Sequence, residues 1–268
     1  IVLLTENPSM NAALVNGKAT KAELAKAFDG LAAKVPADGR LLVLLIGHGS
    51  FDGSDYKFNL VGPDATGAEL KSWLDSFEKR QVVLVSSTPC SGVLTKTLSH
   101  NGRIVITATK SEFENNDTIF AQFFVDAFKN KAADVDKNSE VSMLEAYLYA
   151  AQRVESWYKE QGRLATEHAL LEDSGDATGV ARPSPANGEG LLAAKFSLHA
   201  PSTALATTGS ASPELQSLGA EKQRLEGAIQ DLKYKKATVP EAEYNQQMET
   251  LLIQLAQTNQ KMNAARKK

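Results

Sequence analysis

The chain has 268 residues, 43% of them hydrophobic, which is enough for one domain of ordinary size with a buried core plus an appendage. Its net charge of −3 argues against the basic surface that nucleic-acid binding needs, so nucleic acid is not expected as a partner. No run approaches the roughly 18 apolar residues of a membrane span, so no span is predicted in this chain. The single cysteine, Cys90, excludes an internal disulfide and leaves the redox compartment open.

Short apolar runs alternate with helical patterns up to about residue 182, which is typical of βαβ units around a parallel sheet. Strands are predicted at 1–5, 41–46, 81–86 and 103–108, with a weaker one at 191–198. The first of these runs begins at Ile1 without a methionine, and we therefore expect further sequence upstream of it.

Helices are predicted between these strands from capping signals and apolar periodicity. A threonine precedes a glutamate by three residues at 20–23 and again at 66–69, which is the capping-box pattern of a helix start. Two further helices are predicted at 117–129 and 141–160.

From Ala200 to residue 212 the composition shifts to Ser, Thr, Ala, Gly and Pro, which is typical of a flexible linker. Apolar residues then recur at steps of three and four, interrupted near Pro240, and predict two helices in an antiparallel hairpin. The chain is thus divided into a domain over 1–199, a linker over 200–212 and a hairpin over 213–266. The hairpin is either a solvated coiled-coil spacer or an arm that docks a protein partner or a second copy.

Two apolar strands each lead into a potentially reactive side chain. Residues 41–46 run into His48, which glycines flank, and residues 81–86 run into Cys90. The carboxyl ends of parallel strands lie at one edge of a sheet, so the imidazole and the thiol are expected to meet there. A cysteine peptidase needs such a pair, because the thiol must attack as thiolate and the leaving amine must be protonated.

Neighbouring residues supply the other parts of such a site. The main-chain N–H groups of Gly49 and Cys90 could stabilise the oxyanion of a tetrahedral intermediate. A helix expected at 91–99 would lower the pKa of the Cys90 thiol through its N-terminal dipole. Taken separately, a lone cysteine is more often inert and buried, and a histidine at a strand end is more often structural, but their joint placement favours the catalytic interpretation.

Two short motifs carry a resemblance to known proteins: His48-Gly49 after one apolar strand, and Pro89-Cys90-Ser91-Gly92 after the next. They resemble the paired motifs of the caspase-like cysteine peptidases, and of the legumain branch in particular. The resemblance covers most of residues 1–199, and the further segments that carry it are Phe58-Asn59-Leu60, Thr107-Ala108-Thr109 and Glu167-His168-Ala169-Leu170-Leu171. It is stronger for bacterial legumain-like, caspase-fold proteins than for the animal enzymes.

The resemblance implies an α/β fold, a caspase-like three-layer sandwich with a mostly parallel sheet. It implies Cys90 as nucleophile, His48 as proton donor to the leaving amine, and Gly49 with Cys90 as oxyanion donors, acting on a protein or peptide substrate. In the family a strand and a helix precede the segment that matches residues 1–5. An upstream fragment of the same precursor is therefore predicted to complete the sheet.

The substrate pocket departs from the pattern of the family. Legumains and metacaspases carry an acidic residue two positions before the cysteine, where this chain has Thr88, so a preference for asparagine or arginine does not carry over. The candidate pocket residues are Ser86, Ser87, Thr88 and Asp117.

A second constellation, over residues 134–145, has the spacing of an EF-hand calcium loop. Its predicted ligands all carry side-chain oxygens and are Asp134, Asp136, Asn138, Glu140, Ser142 and Glu145. Ser139 stands where such a loop normally has glycine at its sharp turn. The same residues would also cap a helix that starts near Val141, so calcium binding and capping are both open. A weaker acidic cluster at 172–176 is interpreted as a polar turn.

The function predicted from these patterns is peptide-bond hydrolysis by a Cys90/His48 dyad, with calcium as a supporting ion. The alternative is a noncatalytic caspase-fold module that acts as a structural subunit and docks through its C-terminal hairpin. The substitution Cys90→Ala separates the two, because it ends hydrolysis by a peptidase and leaves the binding of a scaffold unchanged.

Overall fold

The computed structural model describes residues 1–198 and 213–265, with the exception of residues 131, 136, 139 and 237. The predicted linker at 200–212 lies outside these residues. The strands are β1 (Leu4–Thr5), β2 (Gly17–Lys18), β3 (Arg40–Ile46), β4 (Gly49–Phe51), β5 (Tyr56–Phe58), β6 (Ala65–Thr66), β7 (Gln81–Ser87), β8 (Arg103–Thr107) and β9 (Leu170–Glu172). The helices are α1 (Lys21–Lys34), α2 (Gly67–Asp75), α3 (Leu94–Leu98), α4 (Phe120–Ala127), α5 (Met143–Glu160), α6 (Leu191–Lys195), α7 (Pro213–Tyr234) and α8 (Glu241–Ala265).

Strands β3, β7, β8 and β9 form a four-stranded sheet in that order. β3, β7 and β8 run parallel to one another, and β9 pairs with β8 in the antiparallel direction. The predicted mixed α/β class with a mostly parallel sheet is therefore confirmed.

Both faces of the inner strand β7 are buried, as its uninterrupted apolar run requires. Val82 and Leu84 lie on one face of β7 and Val83 and Val85 on the other, and all four are at most 2% exposed. The first face packs in a core cluster with residues from the helices before and after β7, among them Phe28, Leu70, Leu74 and Leu94. This packing fixes the strand ends from which the candidate site is built.

The predicted helix starts are confirmed. Thr20 Oγ1 accepts a hydrogen bond of 3.3 Å from the Glu23 N–H at the start of α1. Thr66 and Glu69 form a complete, reciprocal capping box at the start of α2. Helices α4 and α5 fall within the ranges predicted from periodicity.

Two strand predictions need correction. Only β1 forms from the segment 1–5, and it pairs with β2 in a separate sheet. Residues Leu191–Lys195 form helix α6 and not a strand, because leucine and alanine have high helix propensity and Gly190, at a φ of 95°, begins the helix. The sequence patterns also miss β9, which is too short to give a periodic signal.

The chain divides into two compact units, of which the first comprises Ile1–Ala133 and Ala146–Pro183 and the second Asp134–Glu145 and Ser184–Lys268. The first unit holds the four-stranded sheet. In the second, α7 and α8 match the two predicted helices and pack on one another. Within the described ranges, none of the helices combines the length and the hydropathy that crossing a bilayer requires.

Candidate active site

The His48 and Cys90 loops begin at the same edge of the sheet. β3 and β7 are adjacent parallel strands, and their last paired residues are Ile46 and Ser87. A Cβ atom at Gly49 would lie 2.6 Å from the Pro89 carbonyl oxygen, so the chain just after His48 packs directly against the chain just before Cys90. Glycine at position 49 is required by this approach. The structure thus brings together the two loops that the sequence pairs.

The His48 side chain is open to solvent. It is 74% exposed, and its Nδ1 lies 3.5 Å from Asp117 Oδ1, a distance that suits an ion pair better than a hydrogen bond. The main-chain oxygen of His48 accepts a 3.0 Å hydrogen bond from the Asn59 N–H, which ties the loop to the end of β5. Asp117, predicted as a pocket residue, therefore lies beside the imidazole.

The Cys90 side chain, in contrast, is only 4% exposed. Its backbone has a φ of 57°, in the left-handed region that residues other than glycine rarely adopt. Burial raises the pKa of the thiol, a hydrogen bond from the main-chain N–H of Phe51 opposes this, and the Glu112 carboxylate adds to it. Burial therefore disfavours the thiolate, and a nucleophilic role for Cys90 would require a base.

A helical segment follows Cys90 as predicted, but the pKa of the thiol is raised and not lowered. A single 3-10 turn, Ser91–Val93, follows the cysteine before the five-residue α3 begins. Such short pieces have a weak dipole, and the cost of burying the thiolate outweighs it.

The predicted oxyanion donor at Cys90 already has an acceptor. The Cys90 N–H donates a 2.8 Å hydrogen bond to the main-chain oxygen of Glu114. Glu114 belongs to the loop between β8 and α4, which we call the Glu114 loop and define as residues 110–118. Nothing in the local sequence pattern signals this contact, which joins residues in two different loops.

A layer of buried hydroxyl groups supports the Cys90 loop from below. Tyr56, Ser86 and Thr88 are fully buried, and the Tyr56 hydroxyl lies 2.6 Å from Thr88 Oγ1. Ser86 Oγ lies 3.1 Å from the same Thr88 atom, and burial raises the pKa of Tyr56 to about 12. Ser87 is 3% exposed and accepts a hydrogen bond from the Ala121 N–H at the start of α4. The structure therefore places Ser86, Ser87 and Thr88 in the supporting interior, and not on an open pocket wall as the sequence suggested.

The residues after Cys90 fix the start of the Glu114 loop. Gly92 N–H donates to Thr109 Oγ1 at 3.0 Å, and Ser91 Oγ lies 3.1 Å from the same atom. A Cβ at Gly92 would lie 2.2 Å from the main chain of Lys110 and Ser111, so the loop passes directly over this glycine. The Ser-Gly that follows the cysteine thus provides the close backbone contact on which the loop rests.

Two residues of the segment 167–171, one of those that carry the family resemblance, also contact this region. Glu167, 2% exposed, accepts hydrogen bonds from the N–H groups of Ile119 and Phe120 and so caps the start of α4; burial raises its pKa. His168 donates its main-chain N–H to Glu114 Oε2 at 3.0 Å, and its Nδ1 contacts Glu114 Oε1. Sequence reasoning assigned neither residue a role in the site.

The predicted calcium loop lies in the second unit and acts as a helix cap in the structure. Glu145 Oε2 accepts hydrogen bonds from the Ser142 N–H and hydroxyl, and Ser142 Oγ accepts one from the Glu145 N–H, which is the geometry of a capping box at α5. Asp134 Oδ1 accepts the Asn138 N–H at 3.1 Å. These contacts support the capping interpretation.

The remaining predicted ligands do not complete a calcium site on their own. Glu140 Oε2 accepts the Ser197 hydroxyl at 2.8 Å, and Asp136 lies outside the described residues. Carboxylate, amide and hydroxyl oxygens suit Ca²⁺, and a carboxylate oxygen that accepts one N–H can accept further partners. Calcium binding therefore stays a prediction. In the first unit, Glu172 and Asp176 accept the N–H groups of Gly175 and Thr178, as the predicted polar turn requires.

No protein-family model and no curated protein sequence matches the chain. The assignment of the site therefore depends on its own residues and geometry.

Proposed function

We propose that the chain is a cysteine peptidase with a caspase-like, three-layer fold of the legumain type, in which Cys90 and His48 form the catalytic dyad. The observation that supports this most strongly is the packing of Gly49 against Pro89 and Thr88, which joins the histidine and cysteine loops at one edge of a parallel sheet. Ligands bind at this edge in open α/β sheets.

The proposed reaction follows from the protonation state of the thiol. Because burial raises the Cys90 pKa, the thiol proton must pass to the His48 imidazole as the sulfur attacks the substrate carbonyl carbon. The new S–C bond gives a tetrahedral oxyanion, which main-chain N–H groups stabilise. The C–N bond then breaks, and the imidazolium gives its proton to the leaving amine. Water, deprotonated by the imidazole, hydrolyses the thioester and restores the thiol.

Asp117 is assigned to positioning of the imidazole. Its carboxylate lies on the Nδ1 side of the ring, which leaves Nε2 for the proton transfers. Both side chains are highly exposed, so the pair is screened by solvent and its contribution is small.

We also propose that an upstream fragment of the same precursor adds a strand to β3. Among the described residues, β3 is an outer strand of the sheet, with β7 beside it on one side and no strand beside it on the other. Ile46, at the end of β3, is 58% exposed and borders a groove of about 550 Å³ whose other walls come from α4, Lys129 and Arg153. An apolar strand followed by a helix would cover both the outer edge of β3 and this groove. Coexpression with the sequence encoded upstream tests this, because a bound fragment copurifies with the chain and raises its melting temperature, whereas a fragment that does not bind changes neither.

Hydrolysis of an unfolded protein substrate tests the catalytic proposal. Casein carrying a fluorescent label should be cleaved by the wild-type chain and not by Cys90→Ala, and the assay is run with calcium and with a chelator to measure any dependence on the ion. The control is Ser76→Ala, which removes an exposed hydroxyl at the C-terminal end of α2 and keeps the thiol. Equal cleavage by wild type and Cys90→Ala contradicts the proposal.

A noncatalytic scaffold is the second candidate, and one observation favours it: the thiol is buried and its N–H is hydrogen-bonded in this conformation. The hairpin would then be the docking element, and Leu252 and Ile253 of α8 are each about half exposed. A scaffold shows no cleavage under either calcium condition, and Cys90→Ala leaves its folding and its self-association unchanged.

A further inference from the structure

We propose that Glu114 holds Cys90 in a closed resting state, in which the main-chain oxygen of Glu114 occupies the place of the substrate oxyanion and must leave before the thiol can be acylated. This inference rests on the proposed function and adds a step of regulation to the same site. Glu114 is a positioning residue in this scheme, because its side chain acts through the loop.

The first step of the argument is competition for one donor. The Cys90 N–H donates to the Glu114 oxygen at 2.8 Å, which is the length of a normal hydrogen bond. A carbonyl oxygen under attack by Sγ needs the same N–H, since the oxyanion forms next to the nucleophile. One N–H cannot serve two acceptors well, so the Glu114 oxygen excludes the reacting carbonyl.

The second step concerns what holds the Glu114 oxygen in place. The Glu114 side chain is 11% exposed, and its Oε2 accepts the N–H groups of Lys110 at 2.8 Å and of His168 at 3.0 Å. Its Oε1 contacts His168 Nδ1 and lies 3.5 Å from Lys110 Nζ. We call these contacts of the Glu114 carboxylate the latch.

The third step is that the ends of the Glu114 loop are packed on the protein, whereas side chains in its middle are exposed. One end of the loop packs over Gly92. At the other end, the Thr118 hydroxyl donates a hydrogen bond of 3.2 Å to the main-chain oxygen of Ser87. Between them, Phe113 is 82% exposed and the Asp117 side chain 86% exposed. The latch is therefore the main attachment of the middle of the loop, and breaking it should free the Cys90 N–H.

Two small reagents separate release of the N–H from general access to the thiol. Acylation of Cys90 by 4-nitrophenyl acetate forms an S–C bond at a carbonyl carbon, passes through an oxyanion and expels nitrophenolate. Alkylation by iodoacetamide forms an S–C bond at a methylene carbon, expels iodide and forms no oxyanion. The ratio of the two rates at Cys90 of the full chain, each mapped by mass spectrometry, reports the state of the oxyanion donor.

In the variant Glu114→Ala this ratio should rise by roughly three- to tenfold, in line with the loss of a few hydrogen bonds. His168→Ala should raise it less, because the His168 main-chain N–H stays, and the double variant should equal Glu114→Ala, because both changes open the same latch. Glu114→Gln keeps acceptor oxygen for the N–H donors and should stay near wild type. The charge-matched control is Glu112→Ala, which also removes a carboxylate from this loop but is expected to change both rates together.

A ratio that is unchanged or lower in both Glu114→Ala and His168→Ala overturns the proposal, as does alkylation without any acylation in all variants. Failure of the proposed function is a separate result, in which casein cleavage does not depend on Cys90 while the reagent ratio still responds to Glu114. If Glu114→Ala does not fold, His168→Ala alone decides, since its side chain lies at the surface.

Discussion

The two strand ends that carry the candidate dyad differ in almost every physical respect. His48 is 74% exposed and lies beside an exposed carboxylate, whereas Cys90 is 4% exposed, in a left-handed backbone conformation, with its N–H bonded to Glu114. In the proposed mechanism the exposed imidazole is accessible as it stands, whereas the thiol meets a substrate carbonyl only after its loop changes. The difference teaches where to look for the limiting step of that mechanism, which we expect on the cysteine side.

Among the variants that test this difference, removal of the nucleophile is expected to have the largest effect on the cleavage rate. Cys90→Ala should lower casein cleavage by about 10³-fold or more, since no other group in the site can form the acyl intermediate. Steady-state cleavage rates measure this, and the folded state is checked by circular dichroism. A loss of less than tenfold in a folded variant means that the thiol is not the nucleophile.

The next largest effect is expected when a substitution forces the His48 and Cys90 loops apart. In Gly49→Ala the added Cβ would lie 2.6 Å from the Pro89 oxygen, so one loop must move away from the other. We expect a loss of about 1–3 kcal/mol in the free energy of unfolding and about 10²-fold in cleavage rate. Urea denaturation and cleavage assays measure the two effects.

The matched control for that experiment is Gly30→Ala. Position 30 lies within α1, and an added Cβ there meets no atom within 4 Å. This variant should gain up to about 1 kcal/mol, because alanine favours helix more than glycine does. If both variants behave alike, the contact between the loops has no special importance.

The titration of the cysteine gives the third test. Because burial and Glu112 raise the Cys90 pKa, alkylation by iodoacetamide should keep rising, about tenfold per pH unit, beyond the pH at which an ordinary cysteine levels off. Glu112→Gln removes a negative charge near the thiolate and should move the midpoint to lower pH. A midpoint at or below that of a free cysteine peptide contradicts the environment described for this thiol.

The smallest effect is expected at Asp117. Because its pair with His48 is exposed, Asp117→Asn should lower the cleavage rate by less than about fivefold, with little change in Tm. High salt should weaken the wild-type rate by a similar factor and leave the variant unaffected. A loss above 10²-fold would show that Asp117 does more than orient the imidazole.

The parts that sequence patterns predicted are those that local chemistry determines. Continuous apolar runs predicted β3, β7 and β8, and capping-box patterns predicted the starts of α1 and α2. These features depend on neighbouring residues, so they can be inferred from one chain.

The parts that were missed depend on contacts between distant segments. The bond from Cys90 N–H to Glu114 joins residues whose separation carries no periodic signal, and the direction of the thiol pKa depends on burial, which outweighs the short turn that follows. Ser86 and Thr88 were predicted as pocket residues from their places near the cysteine, but the Tyr56 hydroxyl, from another strand, contacts both of their hydroxyls in the interior. Gly92 lies under the start of the Glu114 loop, but the glycine by itself does not show which segment packs over it.

The dependence of Cys90 labelling on His48 tests the central claim most directly. The folded chain is treated with a peptide carrying a thiol-directed electrophile, and the rate of modification at Cys90 is followed by mass spectrometry in wild type, His48→Ala and the control His100→Ala. If the dyad operates, His48→Ala should slow labelling by about 10²- to 10⁴-fold while His100→Ala matches wild type. Equal labelling rates in His48→Ala and wild type, or no labelling of wild type at all, would contradict a Cys90/His48 dyad.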